Sequence, residues 1–334
     1  MGNSTDIQPF VNNAQLVQEL QDSLDRLEAY AEGAWTDNTV RAYESDWGHF
    51  SSWCERHGLK ALPARVQTIG LYLGAIAEQY KLATIERRLA SISTMHKEHD
   101  YDTPTSVAKG PLRKIWRGIV RDKTRRQDKA EPLMVEDLRL IVQHLPRNEH
   151  GELTLTSLRD RAILLIGWTG ALRRSELVSL TMDDIEVVSG RGINLTIRKS
   201  KTDQASEGIT KGIPYGNASE TCPVTALRTW IKAADINAGP IFRRFYRGES
   251  VGKTGITAQY VSIILKEHAE RVGLDSEALS AHSLRSGFIT QAIRAGKPER
   301  RVKEHSGHKS WSTFNGYVKK AATFKENPAE DIGL

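Results

Sequence analysis

The feature that most constrains the fold is a helical repeat of apolar residues through the first third of the chain. Leu16, Leu20, Leu24 and Leu27 recur at steps of three and four, as do Val40, Tyr43, Trp47, Phe50 and Cys54. Val66, Ile69, Leu73, Ile76 and Tyr80 form a third set, and Leu82, Ile85, Leu89, Ile92 and His96 a fourth. Steps of three and four line up on one face of a 3.6-residue helix, so the region predicts amphipathic helices that each bury one stripe, with little strand. Thr36-Asp-Asn-Thr supplies capping residues before the second stripe, and Pro111 stands where the first turn of a fifth helix tolerates it.

Gln127-Asp-Lys-Ala-Glu-Pro132 is charged, lacks apolar anchors and ends in proline, which predicts a linker. Beyond it the periods mix. Leu158 to Trp168, Arg174 to Leu180, Pro223 to Ala233, Thr257 to Val272, His282 to Ala295 and Glu299 to His305 read as helices. Ile185 to Val188, Ile193 to Ile197 and Gly212 to Tyr215 read as short strands, broken at Ser189-Gly-Arg-Gly192 and Lys201 to Gly208. The expected organisation is mainly α: a helical domain at 1–126, a linker at 127–132, and a mainly helical domain with a small antiparallel sheet at 133–334.

A chain of 334 residues is long enough for two domains with real cores. Apolar runs such as Ala162 to Trp168 fall far short of the roughly 20 residues a membrane-spanning helix needs. The start Met-Gly-Asn-Ser-Thr-Asp has no basic region followed by an apolar block, so secretion is not expected. Cys54 and Cys222 are the only cysteines and fall in different expected domains, which points to reduced thiols in the cytoplasm. Between Arg113 and Lys129 eight basic residues face two acidic ones, a surplus equal to the net charge of +6 for the whole chain. Such a run is either a solvated helical face or a contact with nucleic acid.

The chemistry-bearing residues lie downstream. Arg173 and Glu176 sit in Thr169-Gly-Ala-Leu-Arg-Arg-Ser-Glu-Leu177, Lys201 in Arg198-Lys-Ser-Lys-Thr202, His282 and Arg285 in one His-x-x-Arg motif, His308 in Ser306-Gly-His308, and Tyr317 follows. They offer fixed cations for a phosphate, proton carriers and a phenol nucleophile, a set able to cut a phosphodiester without a metal. In this order and spacing, behind a basic helical region, the chain resembles the tyrosine recombinase (phage integrase) family over nearly its whole length.

That resemblance implies roles. Arg173 and Arg285 clamp the non-bridging oxygens, with Arg173 rather than Arg174 in the register of the family's Arg-x-Ser-Glu-Leu box. His308 donates to the same phosphate, Tyr317 attacks, and His282 is the base candidate. Lys201, with Lys199 as the alternative, protonates the leaving 5′-oxygen from a strand-to-strand loop, and Glu176 orients the Arg173 turn. No metal site and no cofactor are expected: His305 near His308 has no acidic partners, and the chain lacks a Gly-x-x-x-x-Gly-Lys-[Ser/Thr] phosphate loop.

Candidate DNA contacts are Arg41, Arg87, Arg88, Arg113, Lys114, Arg117, Arg121, Arg125, Arg126, Arg243, Arg244 and Gln259. Arg87, Arg88 and Ser91 are expected off the apolar stripe of their helix, facing a groove, and Gln259 near a helix start could read adenine. The implied partners are double-stranded DNA with inverted half-sites and three further copies of the chain, a homotetramer on paired sites. The implied activity is site-specific recombination through a tyrosyl-phosphate and a Holliday junction, without ATP. A type IB topoisomerase-like nicking and closing enzyme and a non-catalytic architectural DNA-binding protein are the competing readings. The segment after Tyr317 is expected to dock on a neighbouring protomer.

Overall fold

The computed structural model describes residues 18, 21–23, 26, 37–107, 110–125, 130–198, 208–246 and 250–321. The chain divides into two compact units, Met1–Gln127 and Asp128–Leu334.

In the first unit, α1 (Asp37–Arg56), α2 (Val66–Ile76), α3 (Leu82–Glu98) and α4 (Leu112–Arg125) close around one core. Phe50, Cys54, Ile69, Tyr72, Leu73, Ile85 and Ile92 are all fully buried there. These are largely the residues of the second, third and fourth stripes, and burying such side chains contributes about 1.5–3 kcal/mol each. His96 closes the fourth stripe with both ring nitrogens engaged. Its Nε2 accepts the Ala64 amide at 2.9 Å, so Nδ1 carries the proton and donates to the Ile92 carbonyl at 2.7 Å. Leu16, Leu20, Leu24 and Leu27 of the first stripe lie outside the described residues.

Arg88 and Ser91 correct the expected face of α3. Arg88 is 6% exposed and Ser91 2% exposed. Arg88 stands three residues after Ile85 and four before Ile92, so it shares their inward face. Its guanidinium lies 3.8 Å from the Tyr80 ring centroid and 3.5 Å from the Asp46 carboxylate, and it donates to the Tyr72 hydroxyl at 3.3 Å. The Ser91 hydroxyl donates to the Tyr43 carbonyl at 2.8 Å.

In the second unit, α6 (Leu155–Thr169) is the central helix, with α5 (Val135–Gln143) before it. Ala162 to Ile166 are buried on every side, which is why this stretch reads as a continuous apolar run. The Thr154 side chain accepts the Ser157 amide at 3.2 Å and caps its start. The short α7 (Arg174–Val178) leads into β1 (Ile185–Val188), β2 (Gly192–Ile197) and β3 (Ile209–Pro214), an antiparallel sheet in that order. Leu195 pairs with Lys211 and Ile193 with Ile213 across β2 and β3.

Then come α8 (Pro223–Ala233), a second antiparallel pair β4 (Arg243–Phe245) and β5 (Val251–Gly255), α9 (Tyr260–Arg271), α10 (Ala281–Arg294), α11 (Glu299–Ser306) and α12 (Trp311–Ala321). The class is the expected one: mainly helical with small antiparallel sheets. The β4–β5 hairpin was not anticipated, and β3 starts at Ile209 rather than Gly212. Cys54 and Cys222 are both buried free thiols. No helix among the described residues is long and apolar enough to cross a membrane.

Candidate active site

Arg173, Glu176, His282, Arg285, His308 and Tyr317 converge within the second unit. Arg173 precedes α7, and the first turn of that helix holds it. The Glu176 carboxylate accepts the Arg173 backbone amide at 2.9 Å and its guanidinium at 2.5 Å. Glu176 is 3% exposed. Burial alone would raise its pKa, but the hydrogen bonds and charge from Arg173 outweigh it and hold the carboxyl below its ordinary value. The neighbouring Arg174 is exposed.

His282 and Arg285 come from the first turns of α10, whose start is capped by Ser280. Arg285 is 1% exposed and donates to the Ala171 carbonyl at 2.7 Å, while its second terminal nitrogen lies 3.3 Å from His308 Nδ1. Burial, and then the Arg173 charge, lower its pKa to about 10, so it stays a cation at neutral pH. α10 approaches the Leu133 segment so closely that a Cβ on Gly287 would stand 1.8 Å from the Leu133 carbonyl oxygen.

His308 follows Gly307, whose left-handed φ of 67° ends α11 and turns the chain back. Its Nδ1 lies 2.8 Å from the Ser306 hydroxyl, and its ring centroid 5.5 Å from that of Tyr317. Burial, followed by the Arg285 and Arg173 charges, lowers His308 to about 4, leaving a neutral imidazole at physiological pH.

Tyr317 rides on α12. Phe314, one turn earlier and fully buried with Ile289, Ile293 and Val302, anchors that helix. The Tyr317 hydroxyl lies 2.8 Å from His282 Nε2. Burial raises the phenol pKa against the pull of Arg285 and Arg173. Partial withdrawal from solvent and the same two arginines lower that of His282. At neutral pH the proton therefore rests on the phenol, facing an imidazole able to accept it. A cleft of about 500 Å³ opens beside the pair, lined by His282, Ser286, Thr290, Thr313 and Gly316. A larger groove of about 590 Å³ at Leu138, Trp168, Tyr215 and Phe288 touches none of these six side chains.

Lys201 and its alternative Lys199 lie outside the described residues, as do Arg126 and the chain beyond residue 321. Among the described residues no group of three or more His, Cys, Asp or Glu side chains could hold a metal ion. His305 donates from Nε2 to the Thr169 carbonyl at 2.8 Å.

The candidate DNA contacts divide. Arg41, Arg113, Lys114, Arg117, Arg121, Arg244 and Gln259 are exposed. Arg125 ends α4. Arg87 is half-exposed and donates to Asp46 at 2.6 Å, and Arg88 is withdrawn into the core. Arg243 is half-buried, with its guanidinium donating to the Pro240 carbonyl at 2.9 Å and to that of Ala238.

Two groups of polar residues were not anticipated. Lys211 is buried on β3 and donates to the Gly170 carbonyl at 2.8 Å. Its signal was its place in a strand two residues before inward Ile213. Arg159, Asp160 and His268 form a second buried cluster, with Asp160 2.8 Å from Arg159 and 3.0 Å from His268.

A mainly helical domain in which two arginines, two histidines and a tyrosine meet in this way defines the tyrosine recombinase class. The chain belongs to the phage integrase family, whose model matches residues 133–323. It is 33% identical over 319 residues to the integrase/recombinase xerD homolog of Selenomonas ruminantium, covering 95% of this chain and 92% of the relative. To the tyrosine recombinase XerC of Herpetosiphon aurantiacus it is 29% identical, with 90% of each chain covered. In fold it matches a lambda integrase dimer bound to a COC′ core site, at a TM-score of 0.55 and 16% identity over 94% of this chain and 82% of that one. It also matches XerH site-specific recombinase in a post-cleavage complex with palindromic difH substrate, at a TM-score of 0.53 and 17% identity over 78% and 71% of the two chains.

Proposed function

We propose that this chain is a site-specific DNA recombinase that cuts and rejoins strands through its own Tyr317. The observation that carries the reading is the 2.8 Å contact between His282 Nε2 and the Tyr317 hydroxyl, next to Arg173 and Arg285 in the same chain. His282 takes the phenol proton as the Tyr317 oxygen attacks phosphorus. Arg173 and Arg285 balance the charge that develops on the non-bridging oxygens, and His308 donates to one of them. The bond to the 5′-oxygen breaks, and that oxygen leaves with a proton from Lys201. The product is a 3′-phosphotyrosine and a free 5′-hydroxyl. A 5′-hydroxyl from a partner strand then attacks the phosphotyrosine, the tyrosine oxygen leaves and recovers its proton from His282, and the conserved phosphoester bond means that no ATP is consumed.

The proposed substrate is a duplex with inverted half-sites, filled by two protomers. Two such duplexes pair in a tetramer that resolves through a Holliday junction, in the cytoplasm of the host cell. Support comes from family membership and from the exposed basic face of α4, formed by Arg113, Arg117 and Arg121.

The test is a nicked substrate that traps the cut strand, run with the wild-type chain and with Tyr317→Phe, which removes one oxygen and leaves every charge in place. The expected result is a covalent protein–DNA adduct from the wild type and none from the variant, with equal affinity for the duplex. An undiminished adduct from the variant refutes Tyr317 as nucleophile.

A further inference from the structure

The turn that delivers Arg173 is held by three basic side chains from three elements. The Thr169 carbonyl accepts from His305 at 2.8 Å, that of Gly170 from Lys211 at 2.8 Å, and that of Ala171 from Arg285 at 2.7 Å. These carbonyls end α6, where a helix leaves acceptors without amide partners and concentrates the negative end of its dipole. Ala171 has φ of 46°, a left-handed conformation that a residue with a Cβ adopts when its surroundings impose it.

His305 and Arg285 come from helices around the site, but Lys211 has no place in the proposed chemistry. It is 4% exposed, and its strand aims it inward opposite Leu195. Among the described residues, the charged and titratable groups around its ammonium are Glu176 and Arg173 at α7, Arg285 on α10, and His305 and His308 at the end of α11. A buried ammonium persists only with hydrogen bonds and a counter-charge, here Gly170 and Glu176.

We propose that Lys211 is a positioning residue for strand cleavage: tied to the Gly170 carbonyl and set beside Glu176, it fixes the turn from which Arg173 reaches the phosphate. The inference rests on the roles given above to Arg173 and Tyr317. With Lys211 charged, Lys211 and Arg173 both offset the Glu176 carboxylate. With it neutral, that share of the counter-charge is lost and the carboxylate draws the Arg173 guanidinium more strongly away from the phosphate. Burial first, then the Arg285 and Arg173 charges, lower the Lys211 pKa to about 8 while Glu176 opposes them, so the exchange falls in an accessible range.

The test is the rate of adduct formation at sub-saturating DNA, which reports groups of the free enzyme, measured across pH for the wild-type chain, Lys211→Met and Lys211→Arg. The wild-type rate is expected to decline above about pH 8. Lys211→Arg, which stays charged, is expected to carry its rate to higher pH. Lys211→Met is expected to lose about tenfold or more at every pH, as a misplaced clamp would, with DNA affinity unchanged. A Lys211→Met rate equal to wild type, or a Lys211→Arg profile that superimposes on wild type, overturns the proposal. If neither variant folds, the wild-type chain labelled with carbon-13 at lysine Cε decides. A signal assigned to Lys211 that titrates near pH 8 supports it, and titration of that signal near the ordinary lysine value of about 10.4 overturns it. A wild-type chain that gives no adduct at any pH overturns the Tyr317 assignment, and this inference with it.

Discussion

His282 and Tyr317 are tuned in opposite directions by one environment, and that sets how cleavage responds to pH. Withdrawal from solvent and the Arg285 and Arg173 charges lower the His282 pKa, so the neutral base persists as pH falls below the ordinary histidine value of about 6.5. Activity is lost only as pH falls through that lowered value. Removing one of the two charges relaxes the shift, so Arg173→Gln is expected to move the acid limb of the cleavage profile toward about 6.5 while also lowering the plateau. A profile in which the limb stays fixed would place the base elsewhere. Arg285 shows why the clamp needs arginine: one end of its fork holds Ala171 while the other reaches His308. A lysine can serve one end only. Arg285→Lys is expected to cut adduct formation by about 10²–10³, the usual cost of losing one transition-state donor, with duplex affinity preserved in a gel-shift assay.

At the scale of elements, the site depends on how closely α10 is seated. Gly287 lets it lie against the Leu133 segment, where the Leu133 amide also donates to the Ser283 carbonyl at 3.0 Å. A methyl group there meets backbone rather than a side chain that could swing away. Gly287→Ala is therefore expected to destabilise the chain by about 3 kcal/mol, read as a lowered midpoint in urea, and to slow cleavage by shifting His282 and Arg285 together. Elements like this were legible in sequence to the extent that their apolar period spoke for them. Ile69, Leu73 and Ile76 were read as one buried face, and that face is the core. The same stripe logic misplaced Arg88, because a long cationic side chain is expected off the apolar stripe, facing a groove, although its position lies between Ile85 and Ile92. Asp46, which pairs with it, is 41 residues distant from its neighbour Arg87, beyond the reach of any local pattern. The β4–β5 hairpin escaped for a related reason: Arg243 to Phe245 is too short and too charged to display alternation, and it is defined by its partner strand. Lys211 was hidden by the same habit that hid Arg88, since a basic residue beside a loop reads as exposed until the strand's register turns it inward.

For the molecule as a whole, acidic and basic residues outside the 113–129 window balance in number, which makes the surplus of positive charge near α4 conspicuous. The helix is two-faced: Leu112, Trp116 and Ile119 turn to the first unit's core, while Arg113, Arg117 and Arg121 recur every fourth residue on the exposed side. Four-residue steps drift only slightly around a helix, so the three guanidiniums form one stripe able to follow a phosphate backbone. Contacts of that kind release counterions, and each phosphate neutralised adds about 0.9 to the slope of log affinity against log salt. Converting the three arginines to glutamine keeps helix propensity and removes only charge. The triple variant is expected to lose affinity for every duplex, target or not, and to lower the salt slope by about 3. At saturating DNA it should form the Tyr317 adduct at the wild-type rate, because the cleavage residues belong to the other unit. Binding titrations from low to moderate salt, on target and scrambled duplexes, separate this from the alternative. An unchanged slope would make the stripe a solvated helix face, whereas a loss confined to the target sequence would mean that these arginines read bases.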